Sequence, residues 1–137
     1  MPKRKASLYP PPVQELIAQK SAVLSKAQAF AELGMADMAR TLWESAAEYE
    51  ARLAPLLESL GHDLEAAVRR ISAGGCYHRA ANWTAAANFL RGALAGPLLE
   101  HTRREVEHQL TECLAELSRA TFTAAQRRSP QQARTKA

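Results

Sequence analysis

The sequence predicts an all-α protein of about five helices folded as antiparallel hairpins, and three observations predict it. Apolar residues recur every three to four positions over long stretches, the spacing of one helix face. No stretch alternates apolar and polar residues with β-branched side chains, so strands have no support. Alanine supplies much of the 47% hydrophobic content while aromatics make up only 6%, a composition suited to helices that approach closely. At 137 residues the chain is one domain long.

Residues 1–12 read as a disordered basic arm ending in Tyr9-Pro10-Pro11-Pro12, because prolines forbid helix before Val13. A single helical domain is expected over 13–120. Its first helix carries Val13, Leu16, Ile17, Leu24, Ala27 and Phe30 on one face and ends where Gly34 supplies a C-terminal cap. A second helix starts near Ala36 with Asp37 in its first turn, where the helix dipole favours an anion. Its stripe is Leu42, Ala46, Tyr49 and Leu53, and Pro55 is expected to kink or stop it near Leu53. Asp63 is a suitable N-cap for a third helix from about Leu64 to Ala80, and Asn82 for a fourth from about Trp83 to Ala95. Gly96-Pro97 breaks the chain. A fifth helix follows from Pro97 to about Ala120 on a stripe of Leu99, Val106, Leu110, Cys113 and Leu117, and 121–137 reads as a disordered basic tail.

The formal net charge of +4 is unevenly distributed. Residues 1–12 hold Lys3, Arg4 and Lys5, and residues 119–137 hold Arg119, Arg127, Arg128, Arg134 and Lys136, with no acid in either segment. Residues 13–118 hold 10 cations against 14 acids. The expected body is therefore mildly acidic and its ends basic. No apolar run resembles a signal peptide or reaches the length of a membrane span, so a cytoplasmic location with no membrane partner is expected. Cys76 and Cys113 lie in helical patterns without metal-ligand spacing and read as buried reduced thiols.

Shifting the chain by 47 residues aligns the first two helices with the next two. Ala27 falls on Gly74, Phe30 on Tyr77, Ala39 on Ala86, Trp43 on Leu90 and Ala46 on Ala93, with size class preserved. A small residue near the helix crossing lets the backbones approach, and the aromatic one turn later fills the wedge. The order resembles the tetratricopeptide repeat, best in Gly74-x2-Tyr77-x8-Ala86-x3-Leu90-x2-Ala93-x3-Pro97. Two repeats follow, at about 13–53 and 63–97, with the fifth helix, about 97–120, capping the open apolar end. The 47-residue period exceeds the family's 34, which implies a longer connection through Leu53–Gly61. If the fifth helix did not cover the second hairpin, its stripe would drive a homodimer.

The resemblance implies a protein-interaction module whose groove is lined by the first helix of each hairpin. The matching positions are Gln28 and Glu32 in one copy and Gly75, His78 and Arg79 in the other. The expected partner is another protein or peptide, in an adaptor or accessory role. A second reading has nucleic-acid phosphates meeting Lys3, Arg4, Lys5, Arg69, Arg70, Arg127 and Arg128.

Catalytic chemistry finds little support, so no enzyme, cofactor or metal is expected. His101, Glu105, His108 and Glu112 share a helix face and include one Glu-x-x-His element, but a carboxylate-bridged metal pair needs two such elements. These residues lie opposite the apolar stripe and should face water. Gly74-Gly75 is no phosphate loop, since no strand precedes it and no Lys-Ser/Thr follows.

Overall fold

A computed structural model describes residues 9–136, with side chains through residue 127. The described residues form five helices and no strand: α1 (Pro11–Glu32), α2 (Ala36–Ser59), α3 (Asp63–Arg79), α4 (Trp83–Leu94) and α5 (Glu100–Lys136). The main helix–helix contacts join neighbours in the sequence, α1 with α2, α2 with α3, α3 with α4 and α4 with α5. The protein is thus a row of antiparallel neighbours, with α1, α3 and α5 running one way and α2 and α4 the other.

The three links between α1 and α4 share one build. Each is three residues long with a left-handed residue at its centre: Gly34 (φ 77°), Gly61 (φ 82°) and Ala81 (φ 60°). The amides after them reach back to close the preceding helix, Met35 to the Phe30 carbonyl, His62 to Leu57 and Asn82 to Tyr77, each at 2.9 Å. This is the capping pattern in which a left-handed residue lets orphan carbonyls be satisfied. Ala81 adopts it against its own Cβ, at a cost of roughly 1–2 kcal/mol. The fourth link is different. The Arg103 guanidinium on α5 donates to the carbonyls of Leu94 (2.8 Å) and Gly96 (3.2 Å), tying the end of α4 to α5.

Two apolar clusters hold the row together. The larger spans both hairpins and α5, with Ala27, Trp43, Tyr77, Leu90, Val106 and Cys113 among its buried members. Gly74 permits its closest approach, since a Cβ there would lie 2.8 Å from Leu90 Cγ and Cδ2. Tyr77 and Phe89 stack at 5.5 Å between centroids. The smaller cluster gathers Val13, Leu53, Ala54, Leu57 and Ala66, with Tyr9, Leu16 and Ile17 against it.

Several sequence expectations are corrected. α1 starts at Pro11, because Pro10 is already extended (φ −64°, ψ 159°) and its carbonyl accepts from Val13 and Gln14. The expected arm therefore ends sooner. Tyr9 docks on the body, its hydroxyl donating to the Glu65 carboxylate and its ring meeting His62 edge-on at 5.8 Å. Residues 1–8 lie outside the described residues.

α2 passes straight through Pro55 to Ser59. The proline faces solvent while Leu53, Ala54 and Leu57 are buried on the other side, so burial outweighs the lost hydrogen bond. The long period thus comes from longer helices, and the α2–α3 link is no longer than the others. Asp63 lies inside the first turn of α3, where the N-cap is His62 without a side-chain hydrogen bond. Asn82 does cap α4, its Oδ1 accepting from the Ala85 amide at 3.2 Å.

α5 begins at Glu100, not Pro97, and leaves Leu99 outside the helix and 70% exposed. It also runs far beyond Ala120, to Lys136. Ala120, Ala124, Ala125, Gln126 and Arg127 are strong helix formers, and nothing breaks the sequence before Pro130. No side chain described after Cys113 is fully buried.

Candidate functional site

The three parallel helices face a shared groove of about 500 Å³. From α1 it receives Lys20, Leu24 and Gln28, spaced by four and so stacked along one face. From α3 it receives Arg69, Ser72, Gly75, His78 and Arg79, and from α5 Gln109, Glu112 and Cys113. Glu50 of α2 and Leu90 of α4 reach it from the outer row.

Four of the five residues expected at a partner groove, Gln28, Gly75, His78 and Arg79, line this one cavity. The fifth, Glu32, does not. It sits one turn beyond Gln28 at the exposed end of α1. Of the residues considered for nucleic acid, Arg69 lines the same groove and Arg70 pairs with Glu58 across α2. Arg127 is exposed on the far part of α5, the side chain of Arg128 is not described, and Lys3, Arg4 and Lys5 lie outside the described residues.

Glu50 anchors the groove's electrostatics. It is the one buried charged side chain among the described residues, 2% exposed. Arg69 Nη1 donates to both carboxylate oxygens, at 3.1 and 3.2 Å, and Lys20 Nζ stands 3.8 Å away. Removing a carboxylate from water is costly unless cations replace the lost hydration, and two cations from two helices do so here. Glu50 thereby links α1, α2 and α3. At the other end Arg79 lies over the Trp43 ring, 4.7 Å from its centroid, and His78 meets Trp83 edge-on at 4.9 Å. These contacts hold the Arg79 guanidinium and the His78 ring against fixed aromatic surfaces.

Both cysteines line the groove, Cys76 from α3 and Cys113 from α5. Burial pushes the Cys76 thiol up from 9.0, with Glu50 adding to the rise and Arg79 and Lys20 opposing it. Burial also raises Cys113, helped by Glu112 and Glu116. Raised thiols stay protonated at neutral pH, which is the opposite of what a nucleophile needs.

The four-residue face on α5 resolves into two His–Glu contacts, His101 with Glu105 at 3.0 Å and His108 with Glu112 at 2.9 Å. All four side chains are more than half exposed. Among the described residues no three His, Cys, Asp or Glu side chains are grouped to hold a metal ion. No helix of the described residues is long and apolar enough to cross a membrane.

Sequence reasoning overlooked Lys20, Glu50 and Gln109. Lys20 was readable once Gln28 had been chosen, since both share a face with Leu24. Glu50 falls four residues after Ala46 and seven after Trp43, so an acid inside an apolar stripe was itself a signal that buried cations must accompany it. No family model matches the chain, and no curated protein matches it.

Proposed function

We propose that this chain is a non-enzymatic binding module that holds a segment of a partner protein in the groove between α1, α3 and α5, serving as an adaptor or accessory subunit. The observation that carries this reading is the convergence of Gln28, Gly75, His78 and Arg79, chosen on repeat position alone, on a single cavity. The groove's polar groups support it further. Among the described residues, the side chains of Gln28, Ser72 and Gln109 make no hydrogen bond, so their donors and acceptors are open to the cavity. The resemblance to tetratricopeptide repeats belongs to this proposal, and it predicts the same concave side.

The test is site-specific photo-crosslinking. A benzoylphenylalanine at Gln28 or Gln109 should capture a discrete partner in extracts of the native cell, whereas the same probe at Arg40 or Arg91, both exposed away from the groove, should not. Equal capture from all four positions, or none from the groove, would refute the reading.

A second reading follows from the length of α5. Residues 119–136 continue the helix with five cations and no acid, a segment suited to a polyanion such as a nucleic-acid backbone. Truncation after Ala120 should then abolish nucleic-acid binding and its steep salt dependence. Retained binding would exclude it.

A further inference from the structure

The groove's charge says which kind of segment it accepts. Lys20, Arg69 and Arg79 contribute three cations against the carboxylates of Glu50 and Glu112. The helical body, residues 13–118, carries an excess of four acids, so this groove is a positive site on a negative surface. At its floor a single carboxylate, Glu50, meets two cations, leaving positive charge uncompensated. Arg79 makes no ion pair among the described residues and is held in place by the Trp43 ring.

Gly75 adds an independent observation. Its neighbour Gly74 is required by packing, because a Cβ there would strike Leu90, whereas a Cβ at Gly75 would meet nothing within 4 Å. A mid-helix glycine costs about 1 kcal/mol relative to alanine. No contact within the protein accounts for that cost at Gly75, which leaves bare α3 backbone open in the groove wall.

We propose that the groove binds an acidic peptide segment, which runs over the bare backbone at Gly75 and sets its carboxylates against Arg79 at one end and the Lys20–Arg69 pair at the other. The inference rests on the groove being the partner site. Charge complementarity selects the occupant, and the unspent amides of Gln28 and Gln109 suit a peptide backbone. A nucleic-acid strand fits less well, since its regularly spaced phosphates would pass Glu112 and Glu50 with only three cations to meet them.

The experiment is selection of a random twelve-residue display library on the intact chain, followed by binding measurements with the selected peptides. The expected result is enrichment of Asp and Glu. Arg79→Gln should then weaken binding by about tenfold or more. Gly75→Leu should abolish it, because the side chain would project into the groove from a position whose Cβ meets nothing within 4 Å. Gly75→Ala reports folding, since it should raise the melting temperature. Peptides without acidic enrichment would overturn the acidic preference while leaving the groove reading intact. No selected peptides, or peptides that bind Gly75→Leu as well as the parent, would overturn both. Displacement of the selected peptides by single-stranded DNA at equal affinity would assign the groove to a polyanion instead.

Discussion

The first hairpin and the second are built to different lengths and secured by different means. α1 and α2 span 22 and 24 residues, α3 and α4 only 17 and 12. The extra length at the far end of the first hairpin has its own cluster around Leu53 and Leu57, closed by Tyr9 and Ile17. The shorter second hairpin relies on one close approach, Gly74 against Leu90, and on α5 covering its open side. A helix can thus be lengthened past a proline when the added turns bring apolar residues that pack with each other. Glu50, with its cations from α1 and α3, stands where the two arrangements meet.

The strongest way to break this comparison is Leu57→Ala. The side chain is fully buried, so the loss should be roughly 2–5 kcal/mol in denaturant unfolding. Hydrogen exchange should quicken in the first turns of α1 and the last turns of α2, while α4 keeps its protection. Equal loosening of α4 would show that the two clusters are one unit. Next comes Glu50→Ala, which strands Lys20 and Arg69 and should cost about 2–3 kcal/mol, discounted because both cations are partly exposed. If the loss is confined to the first hairpin, Glu50 does not join the two halves.

The adjacent glycines sharpen the account of the second hairpin. Gly74→Ala should destabilise by about 1–2 kcal/mol, because overpacking against Leu90 exceeds the gain in helix propensity. Gly75→Ala should stabilise by about 0.5–1 kcal/mol. Equal signs at the two positions would contradict the Gly74–Leu90 contact. The smallest effect concerns pH. Cys76, Cys113 and Tyr77 all have raised folded pKa values, mainly through burial, so the folded state holds these protons more tightly than the unfolded chain. Their contribution is complete below the ordinary thiol value of 9.0 and is lost as pH climbs through the raised values. The melting temperature should therefore fall above pH 9, and less steeply in a chain carrying Cys76→Ala and Cys113→Ala.

Much of this architecture is legible in particular residues. Gly34 marks the end of α1 and Asn82 the start of α4 because each supplies a local feature that few residues provide. The small and large residues aligned by the 47-residue shift are legible because packing at a helix crossing demands those sizes. Pro55 misled, since its local penalty was outweighed by Leu53 and Leu57, whose burial depends on residues some forty positions away. The reach of α5 was hidden by polar composition, which suggests disorder even where strong helix formers such as Ala124, Ala125, Gln126 and Arg127 follow one another. The site was half legible. Periodicity finds the α1 and α3 walls, but no local pattern says that Gln109 and Glu112 turn toward them.

Nearest-neighbour packing also has a consequence for time. Because the main contacts join helices that are neighbours in the sequence, no segment must wait for a distant one, and the sequence separation between partners stays short. Chains of this kind fold quickly, since little loop-closure entropy opposes each step. During synthesis α1 and α2 can pair as soon as Ser59 has emerged, and each later helix finds its surface already formed. The last of the five to arrive is α5, so the groove is completed only once Gln109, Glu112 and Cys113 have emerged.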